Sequence, residues 1–265
     1  MLSWKIFMRA VRVILDDIGA ALRVTALPYT ILVVASVWFI SAYGQHSLTE
    51  LELTAMGEGD AAPILPDGFL AASLAVVLLQ AAISIWIAVA WHRRVLLQES
   101  AEGVVPPIHG GQMLGYLGRS ILIGLIVAAV SVAILVALAP IVPVLASPAV
   151  FIVAVIIFYR LGLILPAGAI GKPITVGEAW TATKGQSATV VLLALLTFAV
   201  SLLLQVPALI DASISGPPVA TEGAVAAPGP ISVTYNLVVG WMLLLLGVSI
   251  LSVLYGHFVE RRPLD

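Results

Sequence analysis

Residues 158–186 read FYRLGLILPAGAIGKPITVGEAWTATKGQ. The stretch opens in an apolar run that carries a single charge, Arg160. It passes Pro166 and ends in a short polar segment bearing Glu178, Trp180 and Lys184. Residues 121–157 before it contain no charge, and neither do residues 188–209 after it. A helix needs about 20 apolar residues to cross a hydrocarbon core, and a polar break between two such runs marks water. The reading that follows is an all-α integral membrane protein.

The rest of the chain agrees with that class. Of 265 residues, 61% are apolar and 10% are charged, against roughly 25% charged in soluble domains. Mean hydropathy is +1.14. Apolar runs extend along the whole length, so residues 1–265 are expected to form one membrane domain without a soluble appendage. A net charge of -2 gives no basis for nucleic-acid binding. The absence of Cys removes disulfides, thiolate metal sites and Cys nucleophiles together. Residues 166–173 resemble a phosphate loop, but Pro166 holds the first glycine position and Pro173 stands where Ser or Thr is required. The four His residues are scattered, with no H-E-x-x-H, and no G-x-S-x-G elbow occurs. No catalytic centre, metal or cofactor is expected.

Six spans are predicted, over 26–43, 69–91, 121–143, 148–169, 188–209 and 233–257. The uncharged run at 121–158 is too long for one span, and Pro140, Pro143 and Pro148 divide it. Residues 1–24 precede the first span. At about 100° per residue, Trp4, Phe7, Met8, Val11, Ile14, Leu15, Ile18 and Leu22 share one face, with Lys5, Arg9, Arg12, Asp16 and Arg23 opposite. This pattern suits a helix lying in the headgroup layer; the alternative is the first turns of a long helix packed on the bundle.

Lys and Arg set the orientation. With both termini in the cytoplasm, all basic residues except Arg160 fall in cytoplasmic segments, and Arg160 lies nearer that side. The loops after spans 1, 3 and 5 carry none, whereas the first of them holds Glu50, Glu52, Glu58, Asp60 and Asp67, and the last Asp211 and Glu222. A weak repeat accompanies this map. Spans 2, 4 and 6 end on Trp91-His92-Arg93, Tyr159-Arg160 and Tyr255-Gly256-His257, and Pro-Ile-x-x-Gly segments at 107–111 and 173–177 precede spans 3 and 5. The predicted arrangement is three hairpins, each led in by an amphipathic interfacial helix on the cytoplasmic side.

Arg160 is the one charge well inside a span. An Arg at a helix centre costs at least about 2.5–3.5 kcal/mol, so it must face the interior, a wet pocket or an anionic headgroup. Alternatively, Gly162 and Pro166 shorten the span and leave Arg160 as an interface anchor. His92 and Arg93 are further candidates for a ligand or lipid headgroup. Trp4, Trp91 and Trp180 are expected as interface anchors. Thr175-Val-Gly-Glu178 fits a capping box, which gives Glu178 a structural task. Gln80, Ser84, Thr197, Ser201, Gln205 and Asn236 are expected to hydrogen-bond between helices.

With Arg160, Pro166 and Glu178-Ala-Trp-x-x-Thr-x-Gly185 in view, the chain resembles a group of bacterial inner-membrane proteins similar to the membrane domain attached to some glycerophosphodiester phosphodiesterases. The likeness lies in an amphipathic N-terminal helix, six spans and a Trp-bearing segment between spans 4 and 5. It implies a membrane module acting near phospholipids and carries no phosphodiesterase activity with it. The expected function is therefore a multi-pass inner-membrane scaffold or accessory protein, whose partners are the bilayer and anionic phospholipid. The alternatives are a small-solute or lipid transporter with a cavity at Arg160 and, third, an intramembrane enzyme.

Overall fold

Helix boundaries follow the polar, Gly and Pro punctuation of the chain. The computed structural model describes residues 1–44, 65–100, 103, 105–138, 140–215 and 230–264. The predicted acidic positions Glu50, Glu52, Glu58, Asp60 and Glu222 lie outside them. Among the described residues there are nine helices: α1 (Leu2–Leu15), α2 (Ile18–Tyr43), α3 (Phe69–Leu97), α4 (Gly110–Leu138), α5 (Pro143–Leu161), α6 (Ile164–Ala169), α7 (Val176–Ala182), α8 (Ser187–Ser215) and α9 (Pro230–Phe258). Six segments are long and apolar enough to cross a membrane: α2, α3, α4, Ala149–Ala169 (across α5 and α6), Ser187–Pro207 in α8 and Tyr235–Phe258 in α9. The architecture is that of an all-helical, multi-pass membrane protein.

Several boundaries differ from the sequence reading, each for a local reason. The segment at 1–24 is not one helix. Asp17 caps the start of α2 by accepting a hydrogen bond from Ala20 N at 3.3 Å, so residues 18–24 are the first turns of a spanning helix. Within α1 the buried side is Ser3, Ile6, Phe7 and Ala10, packed against α8 and α9, while Trp4 and Leu15 stay exposed. Helix α4 begins at Gly110 rather than 121, so the expected lead-in segment before span 3 is the first part of that span. Glycines at 110, 111, 115 and 118 weaken a helix, but no Pro follows Pro107 until Pro140, so nothing breaks it. Helix α5 starts at Pro143 instead of 148, because Pro in the first turn loses no hydrogen bond the helix would otherwise make.

Burial separates a central helix from a peripheral one. In α9, 56% of the spanning window is buried; in α4 the figure is 6%. Helix α9 accordingly packs against α1, α2, α3, α6 and α8, while α4 leans mainly on α5 and α6. Two polar ties fix α9 to α2: Tyr29 Oη donates to Leu237 O at 2.6 Å, and Trp241 Nε1 donates to Thr25 Oγ1 at 2.7 Å. The short helix α6 is buried at every residue, wedged among α3, α4 and α9. Elsewhere large apolar side chains such as Val34, Leu70, Leu125 and Leu203 face outward, as expected where the surrounding solvent is lipid.

Candidate functional site: the charged end of the bundle

Arg160 lies in the last turn of α5, where a cation also complements the helix dipole. Gly162 and Leu163 keep helical dihedrals between α5 and α6, so Arg160 ends α5 while lying within the spanning segment Ala149–Ala169. Its side chain turns toward α7. Nε donates to Thr183 Oγ1 at 3.0 Å, and Nη2 donates to Trp180 O at 3.0 Å. The guanidinium carbon stands 3.7 Å from the centre of the Trp180 ring, a cation–π geometry. Arg160 is only 7% exposed. Two neutral acceptors and a ring face thus balance the charge without a carboxylate, and one of those acceptors is a carbonyl in the last turn of α7 that Thr183 Oγ1 also approaches, at 3.3 Å.

Helix α7 is built to receive this contact. Thr175 Oγ1 accepts from Glu178 N at 3.2 Å, and Glu178 Oε2 accepts from Thr175 N at 2.6 Å and from Thr175 Oγ1 at 2.8 Å. This is the capping box read from the sequence. The two Thr175 donors hold the Glu178 carboxyl below its usual range. At the other end Thr183 Oγ1 donates to Ala179 O at 3.0 Å, and Gly185 adopts a positive φ of 78°, a left-handed conformation that Gly accepts without strain. Trp180 keeps one face under Arg160 and is 43% exposed.

The Trp91-His92-Arg93-Arg94 run divides between interior and rim. Trp91 was expected as an interface anchor and His92 as a headgroup ligand beside Arg93. Instead Trp91 is 1% exposed and His92 0%. Trp91 Nε1 donates to Ser249 Oγ at 2.7 Å. His92 Nδ1 lies 2.8 Å from Ser252 Oγ, and Nε2 lies 3.4 Å from Tyr116 Oη. Both side chains face α9 because the last turns of α3 still run inside the bundle. Arg93 and Arg94 lie at the rim, their side chains 13% and 28% exposed. Arg93 forks onto Glu99, with Nε at 2.9 Å from Oε2, and Nη1 donates to Ala169 O at 3.1 Å. Arg94 holds Asp17 through Nε at 3.0 Å and through Nη2, and Nη1 donates to Glu99 O at 2.7 Å. Gln98, at φ 56°, reverses the chain after α3 so that Glu99 folds back onto both arginines.

These contacts tie the α1–α2 junction, the end of α3 and the end of α6 into one chain of charges. The Arg94 hydrogen bond holds the Asp17 carboxyl below its ordinary value of 3.8. With the folded pKa depressed, the pair's stabilisation is complete above the unfolded value and drains away as pH falls through the lower folded one. Asp17 is 41% exposed in its side chain, so screening limits the effect to below about 1 kcal/mol. Asp17→Asn should therefore melt slightly earlier than the parent at pH 7, and the two should converge as pH falls through the depressed carboxyl pKa. A difference independent of pH in detergent melts would contradict the assignment.

Beside this rim lies a cavity of about 690 Å³, lined by Arg9, Asp17, Arg94, Ser252, His257 and Arg262 among others. It is closed on one side by the C-terminal tail. Arg262 Nη2 donates to Leu96 O at 2.7 Å, and Arg262 N donates to Gly256 O at 2.8 Å. Arg261 takes a positive φ of 57° to make that turn. The cavity mixes both signs of charge and does not include Arg160. Sequence reasoning missed it, since its walls come from both termini and the end of α3. Among the described residues no three His, Cys, Asp or Glu side chains converge on a metal position. No family model, no curated protein and no solved structure matches the chain.

Proposed function

We propose that this chain is a bacterial inner-membrane scaffold or accessory protein acting near phospholipids, with three helical hairpins and both termini in the cytoplasm. The module is similar to the membrane domain attached to some glycerophosphodiester phosphodiesterases. The observation that carries the reading is where the guanidinium groups point. Arg93 serves Glu99 and Ala169 O, Arg94 serves Asp17 and Glu99 O, and Arg160 serves Thr183 and Trp180 O. Charges used in this way join helix ends and shape a surface. A transporter working through Arg160 would instead need its donors aimed at a solute.

Two experiments test this. A periplasm-active reporter fused at Glu58 should be active and one fused at Glu178 silent; activity at Glu178 removes the orientation. A photo-crosslinking residue in place of Trp180 should give a discrete protein adduct in native membranes, weakened by Arg160→Leu. If no protein adduct forms while liposomes containing the purified chain leak small solutes, the transporter reading takes its place.

A further inference from the structure

Arg119 of α4 stands outside this network. Among the described residues it makes no hydrogen bond and no ion pair. Helices α4, α5 and α6 together carry two charged side chains, Arg119 and Arg160, both basic; Arg160 is engaged by α7. The Arg119 guanidinium lies back over two glycines. A Cβ added at Gly168 of α6 would come within 2.2 Å of Nη1 and 2.5 Å of Cζ, and one at Gly115 within 2.8 Å of Nη1. The missing side chains at 115 and 168 are what seat the guanidinium at the α4–α6 contact.

Directly after Arg119 begins an apolar groove of about 400 Å³ between α4 and α5, with Leu165 of α6 at its inner wall. Ser120, next to Arg119, opens it and Val127 lies at its far end on α4, a rise of about 10 Å. Gly124 and Ala154 make the depression, and Phe151 and Phe158 form its walls. Those two rings are 46% and 42% exposed, so the groove opens sideways toward the bilayer and not toward water. Depth agrees with this. Residues 120–138 of α4 carry no charge, and 19 residues rise about 28 Å, close to the thickness of a hydrocarbon core at about 30 Å. Arg119 therefore stands at the edge of that core, where lipid phosphates lie, and its side chain leans back toward the helix N-terminus.

We propose that Arg119 and the α4–α5 groove form a binding site for one anionic phospholipid, its phosphate on the guanidinium and an acyl chain in the groove beneath. The inference rests on the reading of the protein as one that works near phospholipids, and it assigns that role a ligand class and a place. The phosphate supplies the counter-charge that no residue of α4, α5 or α6 can. The groove supplies a contact that a free anion could not use.

Native mass spectrometry of the full chain in mixed micelles tests the site, with phosphatidylglycerol, phosphatidylcholine of the same chains, or glycerol phosphate as probe. The parent should retain phosphatidylglycerol over phosphatidylcholine. Arg119→Gln should lower that retention about fivefold or more, and Arg119→Lys should restore much of it. Gly124→Leu, where an added Cβ meets nothing within 4 Å, should fill the groove and weaken retention with the charge intact. Equal retention of both lipids, or by parent and Arg119→Gln, overturns the proposal. Competition by glycerol phosphate at the concentration of the lipid overturns the acyl part and leaves an anion site only. Should Arg119→Gln fail to fold, Gly124→Leu decides alone: unchanged retention rejects the groove. The Trp180 crosslink reports on the scaffold reading separately, so either result can fail without the other.

Discussion

Replacing Arg160 with Leu is expected to destabilise the protein by about 3 kcal/mol and to release α7 from the bundle. Two hydrogen bonds from a charged donor and a cation–π contact are lost together, each contributing on the order of 1–2 kcal/mol. Thr183 keeps its bond to Ala179 O, so the receiving helix does not unravel by itself. Its attachment is what fails. Lys184 follows α7 and precedes Gly185, so trypsin provides a direct reading: the Lys184–Gly185 bond should be cut faster in Arg160→Leu, while the rest of the chain stays protected. Arg160→Lys should recover less than half of the loss, because an ammonium keeps the charge but neither forks nor stacks. Pairing Arg160→Leu with Trp180→Leu should show coupling, since each substitution removes the same contact. Unchanged melting and an unchanged trypsin pattern would remove Arg160 from the account of the fold.

The second large effect belongs to Trp91. Trp91→Ala should cost about 4 kcal/mol, the range for removing a large aromatic side chain from a packed core. The side chain is 1% exposed at the contact of α3 with α9, the most buried of the spanning helices. Trp91→Phe keeps most of the volume and deletes the donor to Ser249 Oγ, so it should cost only about 1 kcal/mol. Ser249→Ala combined with Trp91→Phe should cost no more than Trp91→Phe alone. Unfolding in mixed micelles measures all three. If Trp91→Ala melted like the parent, Trp91 would be an interface anchor after all, as its place beside Arg93 and Arg94 first implied.

The contrast between Trp91 and Trp180 shows where sequence reading runs out. Both precede polar residues at a span edge, and hydropathy treats them alike. Trp91 is interior because its helix continues to Leu97 alongside α9. Trp180 is half exposed because α7 is short and rests mainly on α5. The Asp16-Asp17 pair was legible as polar but not as a break. Its effect on the helix depends on Arg94, 77 positions away, which holds the carboxylate in place. Arg160 read as a charge within a span and lies within Ala149–Ala169, but only the fold showed that Trp180 and Thr183 receive it.

What the amino-acid sequence determined by itself is the class of solvent and the periodic plan. Hydropathy is a sum over neighbours in the chain, so six apolar runs and the Thr175–Glu178 cap are readable without any fold. Tertiary structure alone decided which charges are answered. Arg160 meets Trp180 and Thr183, Arg94 meets Asp17, and Arg119 lies over two glycines. A guanidinium's worth depends on what lies within about 4 Å of it, and those neighbours come from helices that no local pattern links.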